Sequence, residues 1–466
     1  MKLSRRDAMK LFAGSVPAIY ANSALVSAAE SAATTAAAAE APKIGLKDAY
    51  KGKFLIGTAG DIPGGYNETE LANIKANYDI ITPENCMKPQ PTQPSEGNFS
   101  FQRPDALVEW ASQNGIKVWG HTLCWHSQSP QFFFQGTAEE GLAKLQKHIE
   151  TVAGHMAGKV VGWDVVNESI NDGGDNSTEN LRNSSWYRLV GPQVLNKAFE
   201  WAKKADPNAK LYYNDYNIEQ HAAEDRGKHS SSLLLLKRLI DEGVPIDGVG
   251  IQGHWHLDTK IENIEKAILN YKELGLEVAV TELDVTTSGY NSGAFNPGPD
   301  SAMAPSYPNA TFSLAGFEGA APGEAPAGGA PGGAPGAGAG GGMMGGRGGA
   351  GGARRGRGGA GGAGGGMFGG GMGFGGGGGF GGMMGGRGGA PVDPELLAKM
   401  LEQQAEIYTK IFKIFVNNKD VVKRITLWGI SDTRSWRRGQ NPLLFDGEMK
   451  PKPAFDAVIN VGLGKA

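Results

Sequence analysis

The sequence predicts a closed α/β barrel of the (β/α)8 TIM type. Eight β-type runs alternate with longer stretches of 3.6-residue apolar period, the pattern of a parallel sheet wrapped in helices. Several of these runs end in carboxylates or amides, as expected where strand ends open onto a wet cleft. With 466 residues, 40% of them apolar and 20% charged, the chain is long enough to bury one large core. An open doubly wound sheet is the competing α/β architecture; the count of eight strand-helix pairs favours closure.

The predicted strands are 53–60, 79–85, 117–125, 160–168, 210–217, 247–255, 277–285 and 421–430. Between them, helical periodicity runs through Glu139 to Gly158, Lys228 to Gly243, Thr259 to Gly275 and Pro394 to Asn418, and Lys450 to Leu463 closes the chain. The catalytic barrel is predicted to span 43–466. It is interrupted after the seventh strand, where the chain turns Pro-rich and then almost entirely Gly and Ala, with G-G-M-M-G-G-R-G-G-A at 341–350 and again at 381–390. Glycine has the most backbone entropy to lose and no side chain to pack. Residues 316–391 are therefore expected to be a disordered low-complexity insertion, leaving from the catalytic face.

Ahead of the barrel, residues 1–28 read as an export signal: a basic start, an apolar stretch from Leu11 to Val26, and small residues at Val26-Ser27-Ala28. Ser4-Arg5-Arg6-Asp7-Ala8 resembles a twin-arginine signal, with Ala8 where a large apolar residue is usual. An ordinary secretory signal is the alternative, and Gly14 and Pro17 weaken a membrane anchor. An Ala-rich leader follows at 29–42, and no other stretch is apolar enough to span a bilayer. Export implies an oxidising compartment, so Cys86 and Cys124, the two cysteines of the chain, are either bridged or two small buried thiols.

The net charge is −3, and the signal carries Lys2, Arg5, Arg6 and Lys10 against Asp7, so the remainder is more acidic still. This argues against a nucleic-acid binder. The arginines of the Gly-rich tract (Arg347, Arg354, Arg355, Arg357, Arg387) suggest RNA-binding segments, but a solvated flexible tract explains them as well. A surface-adhesion role for this tract is a third reading.

The chemistry is expected at the strand ends. Glu168 closes V-V-G-W-D-V-V-N-E (160–168), and Glu282 lies near the end of E-V-A-V-T-E-L-D-V (277–285). A carboxylate ending an apolar strand is costly unless water, hydrogen bonds or chemistry require it. Around them come Glu84, Asn85 and Lys88; His121, Trp125, His126 and Gln128; Asn167; Asn214 and Asp215; Gln252, His254 and His256; Asp284; and Trp428, Trp436 and Arg437. Amides and carboxylates with flat aromatic rings suit a hydroxyl-rich sugar chain. His254 and His256, two apart, share one strand face and raise the alternative of a metal site, but no convincing third ligand accompanies them.

Seven runs occur in family order: T-P-E-N-C-M-K (82–88), G-H-T-L-C-W-H-S-Q (120–128), W-D-V-V-N-E (163–168), Y-N-D-Y-N (213–217), G-I-Q-G-H-W (250–255), T-E-L-D (281–284) and L-W-G-I-S-D (427–432). On these the chain resembles glycoside hydrolase family 10, the endo-β-1,4-xylanases, over about 43–286 and 392–466. The resemblance implies a retaining enzyme without a cofactor. Glu168 would be the acid/base, Glu282 the nucleophile, His254 and Asp284 the support of the nucleophile, and Asn167 the partner of the sugar 2-hydroxyl. Glu84, Asn85, Lys88, His121 and Gln128 resemble groups that grip sugars on the non-reducing side, with Gln252 near the nucleophile and Trp125, Trp428 and Trp436 as subsite walls. Closeness to a second carboxylate and an apolar approach are expected to raise the Glu168 pKa. Xylan and xylo-oligosaccharides are the expected partners, and the chain is expected to be a monomer. A β-1,4-glucanase or a β-xylosidase on the same barrel is the alternative. Cys86, where the family often has glutamate or alanine, and the enlarged loop after the seventh strand are departures.

Overall fold

The structure is a computed structural model that describes residues 44–172, 178–287 and 393–466. The predicted signal, the Ala-rich leader and the Gly-rich tract lie outside the described residues. Within them, 44–287 and 393–466 belong to one compact unit.

Ten strands form one sheet: β1 (Leu55–Ala59), β2 (Ile80–Thr82), β3 (Lys117–Val118), β4 (Gly120–Trp125), β5 (Gly162–Asn167), β6 (Lys210–Asp215), β7 (Gly248–Ile251), β8 (His254–His256), β9 (Glu277–Thr286) and β10 (Val422–Leu427). Their order is β3-β2-β1-β10-β9-β7-β6-β5-β4, with β8 pairing β9, and the strand pairs are parallel. The two ends of that path, β3 and β4, are separated in sequence by Trp119 alone, so one predicted strand, 117–125, closes the ring. Its first half pairs with β2 and its second with β5, in the manner of a (β/α)8 barrel.

Two predicted strands are thus divided, and each division has a physical cause. The 247–255 run breaks at Gly253, whose φ of +80° is a backbone that side chains rarely adopt. A Cβ there would also sit 2.7 Å from Val280 Cγ1. Beyond the break, β8 pairs His254 opposite Asp284. In the 117–125 run, Trp119 points into the ring, where Ile80, Trp119, Tyr212 and Ala279 form a small buried cluster. Gly162 permits this packing, because a Cβ on it would lie 2.3 Å from the Trp119 ring.

Helices wrap the sheet: α1 (Leu46–Ala49), α2 (Glu68–Asn77), α3 (Pro89–Thr92), α4 (Gln102–Gln113), α5 (Ala138–Met156), α6 (Ser185–Val190), α7 (Gln193–Ala205), α8 (Lys228–Asp241), α9 (Ile261–Glu273), α10 (Pro394–Asn417) and α11 (Pro453–Gly462). Their starts are chemically specified. Asn67 with Glu70, and Thr137 with Glu140, form reciprocal capping boxes that open α2 and α5, and Asp393 caps α10, whose first residue is proline. The apolar stripes of these helices, such as Leu145, Ile149, Val152 and Met156 of α5, bury against the outer face of the sheet in one large core. Full burial of each such side chain contributes roughly 1.5–3 kcal/mol. Cys86 and Cys124 both sit in this core as free thiols, so of the two readings of the cysteines the structure holds the unbridged one. None of the helices among the described residues is long and apolar enough to cross a membrane.

Candidate active site

The two glutamates that the sequence singles out meet at one rim of the barrel. Glu282 lies within β9, 6% exposed, with its backbone N–H on the Gln252 carbonyl at 2.8 Å. Glu168 follows the last residue of β5, in left-handed backbone with φ 57°, and its N–H reaches the Asn214 carbonyl at 2.9 Å. Two amides join them. Asn214 Nδ2 donates to Glu282 Oε1 and to Asn167 Oδ1, each at 2.9 Å. Gln252 Nε2 donates to Glu168 Oε1 at 2.9 Å and to Asn167 Oδ1 at 3.5 Å. Thr281 Oγ1 fixes the orientation of the Asn214 amide by donating to its Oδ1 at 2.6 Å.

Glu282 also faces His254, whose Nε2 lies 3.4 Å from Glu282 Oε2 while its Nδ1 lies 2.9 Å from Asp284 Oδ2. Burial alone would lower the imidazole pKa, but the Asp284 carboxylate and then Glu282 outweigh it and raise it to about 9. At neutral pH the ring is therefore an imidazolium between two carboxylates. Burial acts to raise Asp284, and the charges of His254 and Arg437 with the Trp436 donor overcome it and hold this carboxyl below its usual value. Arg437 Nε is 3.2 Å from Asp284 Oδ1, and Trp436 Nε1 donates to Asp284 Oδ2 at 3.1 Å. His256 Nδ1 lies 2.7 Å from Thr286 Oγ1, so the two histidines of β8 have separate partners.

Around Glu168 the structure corrects the sequence. The expected rise in pKa does not occur: burial pushes upward, but the His126 imidazole, the Gln252 and Trp125 donors and the Lys228 ammonium together hold the carboxyl below the usual range. Trp125 Nε1 donates to Glu168 Oε2 at 2.8 Å, and His126 Nδ1 is 4.0 Å from the same oxygen. Trp125 is therefore more than a wall, because its indole N–H orients a carboxylate.

Of the remaining predicted residues, Lys88 and Glu84 lie within electrostatic reach of this pair. Lys88 is buried, with Nζ 3.2 Å from Asn85 Oδ1 and 5.0 Å from the Trp125 ring centre. Burial lowers its pKa against the opposing pull of Glu84, Glu282, Asp61 and Glu168. Glu84 is raised by burial, with Lys88 acting against it and the Asp61 and Glu282 charges reinforcing it. His121 Nδ1 lies 2.9 Å from Asp164 Oδ2, and its ring meets Trp428 edge-on at 5.6 Å. Trp428 is 8% exposed, whereas Trp436 is 40% exposed beside His254, 5.1 Å between ring centres. Gln128 takes a left-handed backbone, φ 46°, and its carbonyl accepts from Gln90 N–H.

Further residues act here without having been assigned a role from sequence, among them Lys228, Asn214 and Arg182, whose Nε donates to the Glu168 carbonyl at 3.1 Å. Asn214 stood in the Y-N-D-Y-N run, yet its position between both glutamates appears only when β6 is paired with β5 and β7. Arg182 lies in a stretch without periodicity or motif, and no sequence signal marked it.

Residues 45–309 and 390–461 match the family model described as glycosyl hydrolase family 10. A β-1,4-xylanase of Dictyoglomus thermophilum is 33% identical over 422 residues, covering 89% of this chain and 90% of the relative. Endo-1,4-beta-xylanase A of Thermoanaerobacterium saccharolyticum is 30% identical over 432 residues, and Exoglucanase XynX of Acetivibrio thermocellus 40% identical over 432 residues. Each match covers 89% of this chain but only 27% and 29% of those longer relatives. Among solved structures, the intracellular xylanase TsXylA from Thermoanaerobacterium saccharolyticum superposes with a TM-score of 0.62 at 29% identity, covering 90% of this chain and 99% of that one. A mutant of it in complex with xylotetraose gives 0.61 at 29% identity, with 89% and 97% covered.

Proposed function

The chain belongs to glycosyl hydrolase family 10, and from that premise we propose that it is an endo-β-1,4-xylanase, cutting internal bonds of xylan with retention at the anomeric carbon. The observation that carries this reading is the joining of Glu168 and Glu282 through Asn167, Asn214 and Gln252. Names of the relatives supply the substrate class, and bound xylo-oligosaccharides in solved structures of the family support it.

Retention needs two carboxyls about 5–5.5 Å apart, one to attack and one to transfer the proton. In the first step Glu282 Oε bonds to the anomeric carbon, the glycosidic C–O bond breaks, and the Glu168 proton goes to the departing oxygen. In the second, water attacks the same carbon, Glu168 takes the proton of that water, and the Glu282 ester bond breaks. The His254 imidazolium and the Asn214 amide are placed to aim the Glu282 carboxyl. Because the free protein holds the Glu168 pKa low, the carboxyl must take up a proton from solvent when substrate binds; sugar that displaces water and draws the donors Trp125 and Gln252 toward its hydroxyls raises the pKa and drives that uptake. Asn167 Oδ1 accepts two amide donors, which leaves its own amide N–H groups for a sugar 2-hydroxyl.

A 40% identical relative named an exoglucanase supports a second reading, action on β-1,4-glucan. Digestion of purified xylan and of cellulose oligomers, with product lengths resolved and the first anomer read by NMR, separates the two. The proposal expects mixed xylo-oligosaccharides released as β anomers; xylose alone, α anomers first, or faster attack on glucan would contradict it. We also propose export by the twin-arginine route, on the basic start and paired Arg5 and Arg6 of the first 28 residues.

A further inference from the structure

Residues Glu168, Ser169 and Ile170 turn the chain away from β5 at the point where the acid/base carboxyl is aimed. Glu168 does so in left-handed backbone, which a side-chain-bearing residue enters at a cost of roughly 1–2 kcal/mol. The turn is held from two sides. Its three N–H groups go to β6 and its side chains: Glu168 to the Asn214 carbonyl at 2.9 Å, Ser169 to the Tyr213 hydroxyl at 3.1 Å and Ile170 to the Asp215 carboxylate at 3.3 Å. Its three carbonyls all accept from one residue. Arg182 Nε donates to Glu168 O at 3.1 Å, the Arg182 backbone N–H to Ser169 O at 2.7 Å, and Arg182 Nη2 to Ile170 O at 3.2 Å.

The guanidinium is itself fixed. Its Nη2 donates to the Tyr216 hydroxyl at 2.8 Å and lies 3.7 Å from Asp172 Oδ2, the oxygen to which Tyr216 donates at 2.7 Å. Lys228 Nζ completes the frame, 2.8 Å from Asp215 Oδ1 and 3.2 Å from Asp172 Oδ1. A planar fork with several donors can bridge Glu168 O and Ile170 O at once; a lysine ammonium has one centre and cannot hold the same geometry.

We infer that Arg182 is a positioning residue for proton transfer, which fixes the aim of the Glu168 carboxyl by clamping the three carbonyls of the turn that carries it. This rests on the reading of Glu168 as acid/base. Displacing a catalytic group by about 1 Å can lower the rate of a step it serves by ~100-fold, and kcat/KM reports the first of the two steps that Glu168 serves.

The test compares Arg182→Met and Arg182→Lys with the wild type and with Glu168→Ala on two aryl β-xylobiosides. One carries a dinitrophenol leaving group, which departs without a proton, and the other an unactivated phenol, which needs one. Both Arg182 variants are expected to lose roughly 10- to 100-fold in kcat/KM on the phenyl substrate and less than about threefold on the dinitrophenyl one. Equal losses on the two substrates, or no loss on either, would overturn the inference. Where Arg182→Met does not fold, judged by circular dichroism and thermal midpoint, Arg182→Lys carries the comparison alone. Equal losses on both substrates in Glu168→Ala would instead overturn the acid/base assignment, and the inference with it.

Discussion

Glu282 and Glu168 share one hydrogen-bond network but are held in opposite ways. Glu282 is part of a ten-residue strand paired on both sides, and its carboxylate faces an imidazolium that Asp284, Trp436 and Arg437 lock from behind. Glu168 stands on a turn outside the regular sheet, and its carboxyl meets the titratable His126 and the neutral donors Trp125 and Gln252. A nucleophile must keep its charge and place through the reaction, whereas an acid/base must lose and regain a proton. A strand with a fixed counter-charge serves the first need, and a turn with exchangeable donors serves the second.

The largest effects separate the two residues directly. Glu282→Ala should remove roughly 10⁴-fold or more of kcat on every glycoside, because no first bond can form. Glu168→Ala should lose about 10²- to 10⁴-fold on xylan but keep a fast first step on a dinitrophenyl xylobioside, visible as a burst of phenol in stopped flow. If the two variants fell alike on both substrates, the contrast between the sites would be false.

A smaller effect tests the fixed counter-charge. The folded pKa of His254, about 9, lies above its unfolded value near 6.5, so the protonated ring favours the folded state. That contribution is fully present below about pH 6.5 and is lost as pH rises through about 9; it is at most on the order of 3 kcal/mol, or several degrees in thermal midpoint. Thermal scans from pH 6 to 10 should show the wild type losing this increment while His254→Gln stays flatter. Parallel curves would mean that the imidazolium does not bear on stability.

How much of this was legible in the sequence differs between the same two regions. The strands around Glu282 announce themselves by apolar period, and β9 emerges within a residue of its predicted bounds. The support of His254 by Asp284 follows from strand pairing, since β8 sets the two residues side by side. On the Glu168 side the strand end was legible but the surroundings were not. Trp125, His126, Lys228 and Gln252 lie tens of residues away, and only barrel closure brings them to one carboxyl; without them, desolvation and a neighbouring carboxylate pointed to a raised pKa, the reverse of what the structure holds. Division of the 247–255 strand depended on the backbone of Gly253, and closure of the ring through Trp119 on packing inside the barrel, neither of which periodicity encodes.

The most direct measurement is to trap the glycosyl-enzyme with an activated 2-deoxy-2-fluoro-β-xylobioside and locate the ester by peptide mass spectrometry. The account predicts one added 2-deoxy-2-fluoroxylobiosyl group on the peptide that contains Glu282, with Glu168 unmodified. An ester on Glu168, or complete turnover with inverted product and no ester at all, would contradict it.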